Sequence, residues 1–161
     1  MTVTDYLISA VLVLLVVPQL RGTTLNLANL VLPLVLVAGA AAYYLKGIPT
    51  EGHDVQLDLL TALAGALIGV GCALTTRLKR GSSGVVAKAG LLAAALWITG
   101  MLARTGFVYA VHHGYAVQIA RFSREQLITG APAWTAALVL MALAQVLARL
   151  LVLRVRAVRV G

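Results

Sequence analysis

Apolar residues in this chain come in long runs separated by short polar knots, a pattern of membrane-length helices rather than of alternating strands. The first run covers residues 6–20, with Pro18 near its end, and Arg21-Gly22-Thr23-Thr24 follows as a tight polar turn. It is short beside the roughly 20 residues of a typical span, yet within the tolerated range. A second run, 25–45, carries Asn26, Asn29 and Pro33 in its first half and ends on Tyr43 and Tyr44. A proline there predicts a kink, and paired tyrosines suit a membrane interface. Next comes a polar connection from Lys46 to Asp58 holding Pro49, Glu51, His53 and Asp54. The third run, 57–74, ends in Thr75-Thr76-Arg77-Leu78-Lys79-Arg80, and the loop Gly81-Ser82-Ser83-Gly84 leads to a fourth run, 85–111. His112-His113-Gly114-Tyr115 breaks that run, and residues 116–126 read as a short amphipathic helix lying along the interface. The last run, 131–155, leads into an arginine-rich tail. The expectation is an all-α polytopic bundle of about five transmembrane helices forming one integral membrane domain over residues 1–161.

Composition makes lipid the solvent for most of this chain. Of its 161 residues, 61% are hydrophobic and 11% charged, and the mean hydropathy is +0.96. Soluble domains carry about 25% charged residues, and so apolar a chain would expose large greasy patches in water. The segment Met-Thr-Val-Thr-Asp before the first run lacks the positive n-region of a signal peptide, so that run is expected to be retained.

Charge then orients the bundle. The net charge of +8 is not spread over a soluble face with interleaved aromatics, so nucleic acid is not an expected partner. Nine basic residues fall on one set of alternate connections: Arg21; Arg77, Lys79, Arg80 and Lys88; Arg149, Arg154, Arg156 and Arg159. The other side has four, Lys46, Arg104, Arg121 and Arg124. An excess of Lys and Arg marks the cytoplasmic side, which predicts an outer N-terminus and a cytoplasmic C-terminus. On that side the basic segments meet an anionic leaflet, each cation contributing about 1 kcal/mol of attraction.

The third run places small residues at every fourth position: Thr61, Gly65, Gly69 and Ala73. Such a stripe lets a second helix approach closely, either inside the bundle or across a homodimer seam. Ionisable groups at membrane depth are the functional candidates. Arg104 stands about 24 Å along its helix from the basic loop at 1.5 Å per residue, and Asp58 opens the third helix on the same side. The expectation is a structural ion pair between the two or a snorkelling arginine, or else a site for an anionic lipid headgroup or a quinone carbonyl in the outer half of the bundle with Tyr109 and His112 nearby. Gln145 and Arg149 share one face of the last helix as a weaker pair of the same kind. Trp134 reads as an interfacial anchor, whereas Trp97 falls mid-span and is expected inside the bundle.

Metal and redox chemistry find little support. His53, His112 and His113 lie at or beyond the ends of the spans, and adjacent helical histidines diverge by about 100°. No Cys-x-x-Cys-His occurs, and the single cysteine, Cys72, excludes an internal disulfide and dithiol chemistry. Cys72 reads as a small packing residue. No metal site is expected and no cofactor is predicted, haem and quinone entering only as ligands of the Arg104 region.

Pro18-Gln19-Leu20-Arg21-Gly22, the helix start from Asn26 to Pro33, Gly65-Ala66-Leu67-Ile68-Gly69 running into Thr75-Thr76-Arg77, then Leu96-Trp97 and Ala103-Arg104 together resemble the CcdC-like proteins. These are small bacterial integral membrane proteins named from a cytochrome c biogenesis neighbourhood. The resemblance covers most of the chain. It implies a bacterial multi-pass membrane protein, and because the family has no established activity it supplies no catalytic residues.

With five acidic residues, none in an Asp-rich motif, and no nucleophile–base pair, an enzyme acting on a lipid-like or prenyl substrate is the less favoured reading. A transporter would need an inverted repeat that a five-helix chain lacks, or an oligomeric pore. The favoured expectation is an accessory or interaction protein in the bacterial plasma membrane, its partners being the bilayer, another membrane protein or a second copy of itself. The alternative is a binder of a quinone, lipid or haem.

Overall fold

The computed structural model describes residues 51–81 and 84–160, together with Thr23, Thr24 and the isolated helical positions Val35, Ala38, Gly39 and Ala42. The runs expected at 6–20 and 25–45 otherwise lie outside the described residues. In chain order the elements are β1 (Thr23–Thr24), α1 (Asp54–Thr75), β2 (Arg77–Gly81), β3 (Gly84–Lys88), α2 (Leu91–Ala110), α3 (Ala116–Glu125) and α4 (Ala131–Val160). The protein is mostly helical. Three of its helical segments, Asp54–Thr75, Leu91–Glu125 and Ala131–Arg159, are long and apolar enough to cross a membrane.

α1 and α4 form the principal packed pair, and α2 lies against α1. On α1 the buried positions Gly65, Gly69, Cys72 and Ala73 recur at helical spacing, and on α4 so do Ala133, Ala136, Ala137, Met141 and Gln145. The glycines account for the close approach. A Cβ on Gly65 would stand 2.1 Å from the carbonyl oxygen of Met141, and one on Gly69 would stand 2.2 Å from that of Gln145. Of the two uses the sequence allowed for this stripe, the structure realises the internal one. Hydrophobic drive between helices is weak in lipid, so van der Waals contact between backbones holds this seam. The opposite face of α1 presents Leu59, Leu60, Leu63, Leu67 and Leu74, all exposed.

Polar contacts fasten the pair at both ends. At one end the fully buried carboxylate of Asp54 accepts the backbone N–H of Thr129 at 2.9 Å and the Thr129 hydroxyl. Beside it the backbone N–H of His53 donates to the carbonyl of Leu127 at 3.1 Å, and His53 Nδ1 lies 2.8 Å from the carbonyl oxygen of Gln126. Asp54 also sits in the first turn of α1, where a negative charge complements the helix dipole. At the other end Arg156 reaches from α4 to the C-terminus of α1. Its guanidinium donates to the carbonyls of Ala73, of Leu74 at 3.3 Å and of Thr76 at 2.9 Å. These are among the last carbonyls of a helix, which have no partner of their own, and a cation is favourable there.

Two expectations need correction. The connection after α1 is not a loop, and the fourth run is not helical from residue 85. β2 and β3 form an antiparallel hairpin with Gly81 opposite Gly84, and β1 joins β3 through Thr23 opposite Ala87 and Thr24 opposite Val86. The sheet order is β1-β3-β2, so the chain is mostly rather than wholly α. The physical reason is local. Charged and apolar residues alternate over Arg77-Leu78-Lys79, β-branched Val85 and Val86 favour extended backbone, and glycines flank the two-residue connection.

α2 gives way at Val111–Tyr115, a π-type turn with non-helical dihedrals at His113 (φ −115°, ψ 41°) and Gly114 (φ 105°, ψ −9°). Glycine tolerates that positive φ without steric cost, and the chain then enters α3. Trp134 binds the corner together: its indole N–H donates to Ser123 Oγ at 3.0 Å, and its ring lies 4.7 Å from that of Phe107.

Candidate functional site: a polar layer within the helices

Gln145 is the centre of the polar groups lying within the helices. It is 1% exposed and occupies the middle of α4. Its backbone carbonyl faces Gly69 of α1 and its side-chain amide faces Gly100 of α2. A Cβ at Gly100 would stand 2.8 Å from Gln145 Oε1 and 3.0 Å from Nε2. Glycine at 100 therefore makes room for the amide, as glycine at 69 does for the backbone.

Arg104, one turn along α2 from Gly100, donates from its guanidinium to Gln145 Oε1 at 2.9 Å. The helix axis places Arg104 about 20 Å from Leu91 at 1.5 Å per residue. A neutral amide oxygen receives the cation there. One turn from Gln145 in the other direction, the guanidinium of Arg149 stands 5.1 Å from the centroid of the Trp97 ring, within range for a cation–π interaction. Cys72 of α1 lies further along the same interface, with its thiol 3.5 Å from the carbonyl oxygen of Ala93. The three helices thus contribute a series of polar contacts along their shared interface, from Cys72 of α1, past Trp97 of α2 with Arg149 of α4, to Gln145 of α4 with Gly69 of α1 and Gly100 and Arg104 of α2.

The residues singled out from sequence do not all assemble. Asp58 and Arg104 form no ion pair, and Asp58 Oδ1 is buried without a hydrogen-bond partner among the described residues. Tyr109 stacks on His113 with ring centroids 3.8 Å apart, and His113 Nδ1 lies 3.0 Å from the Tyr109 carbonyl oxygen. His112 and Tyr109 are exposed. Thr61 turns its hydroxyl onto its own helix, donating to the carbonyls of Leu57 at 2.8 Å and Asp58 at 3.1 Å. Gly65, Gly69 and Ala73 all lie on the buried face of α1. Among the described residues no group of three or more His, Cys, Asp and Glu side chains is placed to hold a metal ion.

Asp54 and Arg156, which the linear pattern places in a polar connection and a basic tail, are structural residues. Their signals were present: an acid in the first turn of a helix and an arginine within reach of a helix C-terminus. Spacing along one helix associates Gln145 only with Arg149.

No protein-family model matches the chain, and no curated protein or solved structure matches it either.

Proposed function

We propose that this chain is a multi-pass protein of the bacterial plasma membrane, of the CcdC-like kind, and a non-catalytic accessory component of a larger membrane complex. The observation that carries this reading is how the polar side chains are engaged. Asp54 holds Thr129, Arg156 holds the α1 terminus, Trp134 holds Ser123 and Arg104 holds Gln145. These groups serve helix–helix connection, and no nucleophile–base pair is assembled from them. The exposed leucines of α1, with Leu92, Ile98 and Leu102 of α2, offer apolar faces to lipid or to a partner helix.

The proposed topology has about five helices, an outer N-terminus and a cytoplasmic C-terminus. Supporting it, the basic segments gather at one end: β1 follows Arg21, pairs with the hairpin that carries Arg77, Lys79 and Lys88, and Arg156 grips α1 beside that hairpin. Purification in mild detergent followed by native mass spectrometry tests the accessory role. A co-purifying membrane protein at fixed stoichiometry is the expected result. A bare monomer from both detergent and native nanodiscs would count against it.

One observation favours a second reading, a binder of a lipid-soluble molecule with an oxygen acceptor, such as a quinone or lipid. Gln145 Nε2 is buried without an acceptor among the described residues, beside the guanidinium of Arg104. A buried amide donor without a partner is costly, and both groups only donate in this direction. A stoichiometric adduct lost in Gln145→Leu would support this reading.

A further inference from the structure

We propose that the outward face of the β2–β3 hairpin is a binding surface for dianionic phospholipid headgroups of the diphosphatidylglycerol type. The inference rests on the membrane reading above but not on which way the bundle is inserted.

Strand register decides which side chains share a face. Arg77 is directly opposite Lys88, and Lys79 is opposite Val86. Side chains alternate between faces along a strand, so Arg77, Lys79, Val86 and Lys88 share one face, and Leu78 and Ala87 share the other. Burial follows the same division. Arg77, Lys79 and Lys88 are exposed on one face beside a half-buried Val86, while on the other Leu78 is half-buried and Ala87 is buried. The apolar face is therefore turned in, and three cations are held together on the face turned out.

Like charges directly opposite in an antiparallel pair destabilise it. Nothing in the described residues offsets this one. Glu51 just precedes α1, Asp54 and Asp58 lie in its first turns, and Glu125 closes α3 next to the loop that binds His53, so the described carboxylates sit at the other end of the bundle. Arg156 is turned onto the α1 carbonyls. Orientation of the protein needs only the number of cations. A hairpin that concentrates three of them on one face, with two in direct opposition, suits a ligand that brings two negative charges on adjacent phosphates. A headgroup with two phosphodiesters bridges the opposed pair, and its acyl chains lie along the spans that begin next to the sheet.

The full chain is reconstituted in nanodiscs of phosphatidylcholine containing a minority of either phosphatidylglycerol or diphosphatidylglycerol, and retained lipid is counted by native mass spectrometry. Wild type is expected to retain diphosphatidylglycerol in preference to both other lipids. Neutralising the face with R77Q/K79Q/K88Q is expected to abolish that preference, each cation contributing up to about fivefold. Gln on an exposed face relieves repulsion, so the variant is expected to fold. Amide exchange of residues 77–88 provides the second measurement: diphosphatidylglycerol slows exchange in wild type and leaves the variant unchanged. Equal retention by both proteins, or exchange insensitive to lipid, overturns the proposal, as does co-purifying RNA that occupies the same face and prevents lipid retention. Both bilayer leaflets carry the same lipids, so a wrong topology alters neither result.

Discussion

The α carbon of Gly69 lies so close over the backbone of Gln145 that a Cβ on the glycine would come within 2.2 Å of the Gln145 carbonyl oxygen and 3.0 Å of its carbonyl carbon. Both obstructing atoms are backbone, so no rotamer change relieves the clash, and α1 and α4 must separate to admit any side chain. One turn away, Gly65 stands in the same relation to Met141.

Gly65→Val and Gly69→Val are therefore expected to destabilise the helix pair by about 1–3 kcal/mol each or more, measured by thermal or SDS unfolding in mixed micelles. Gly106→Ala is the control, because nothing lies within 4 Å of a Cβ there. Equal stability of the valine variants and wild type would refute the seam.

Asp54→Ala removes a carboxylate that accepts both the N–H and the hydroxyl of Thr129. The expected loss is about 1.5–3 kcal/mol, the range for hydrogen bonds to charged groups. Faster amide exchange at Thr129 should accompany it. Asp54→Asn keeps an acceptor for the N–H and should lose less.

At the other end, Arg156→Ala leaves the carbonyls of Ala73, Leu74 and Thr76 without their guanidinium. Fraying of the last turn of α1 is expected, seen as faster exchange over residues 73–78 while residues 54–65 are unchanged. Arg156→Lys should rescue part of the effect, since one ammonium cannot reproduce the planar fork.

A double-mutant cycle with Arg104→Leu and Gln145→Leu measures their 2.9 Å hydrogen bond. Coupling of about 1 kcal/mol is expected, as for hydrogen bonds between membrane helices. Zero coupling in that cycle, set against strong coupling between Arg104 and Asp58, would restore the ion pair expected from sequence.

For the topology, single cysteines are introduced at Glu51 and Lys79 on a Cys72→Ala background. A membrane-impermeant thiol reagent applied to intact cells should label position 51 and spare position 79. The reverse pattern inverts the orientation.

Much of the architecture was legible because membrane helices announce themselves by length. The runs at 57–74 and 131–155 lie inside α1 and α4, and the glycines at 65 and 69 were recognisable as a close-packing face from spacing alone. The hairpin was not. Its 12 residues lie between two long spans, and their alternation was absorbed partly into a polar loop and partly into the apolar run that follows.

By itself, then, the sequence determined the lipid environment, the helical character and the segregation of basic residues, because these follow from composition and from periodicity along one chain. Only the tertiary structure decided that Arg104 meets Gln145 rather than Asp58. That pairing depends on the rotation of each helix about its axis and on the relative height of α2 and α4. Periodicity leaves both free, and the Gly69 and Gly100 contacts set them by bringing the Gln145 backbone against α1 and its side chain against α2. The same holds for Asp54 and Arg156: each is an ordinary charged residue in the linear chain, and each becomes a fastening only when the parallel packing of α1 and α4 brings Thr129 or the end of α1 within reach.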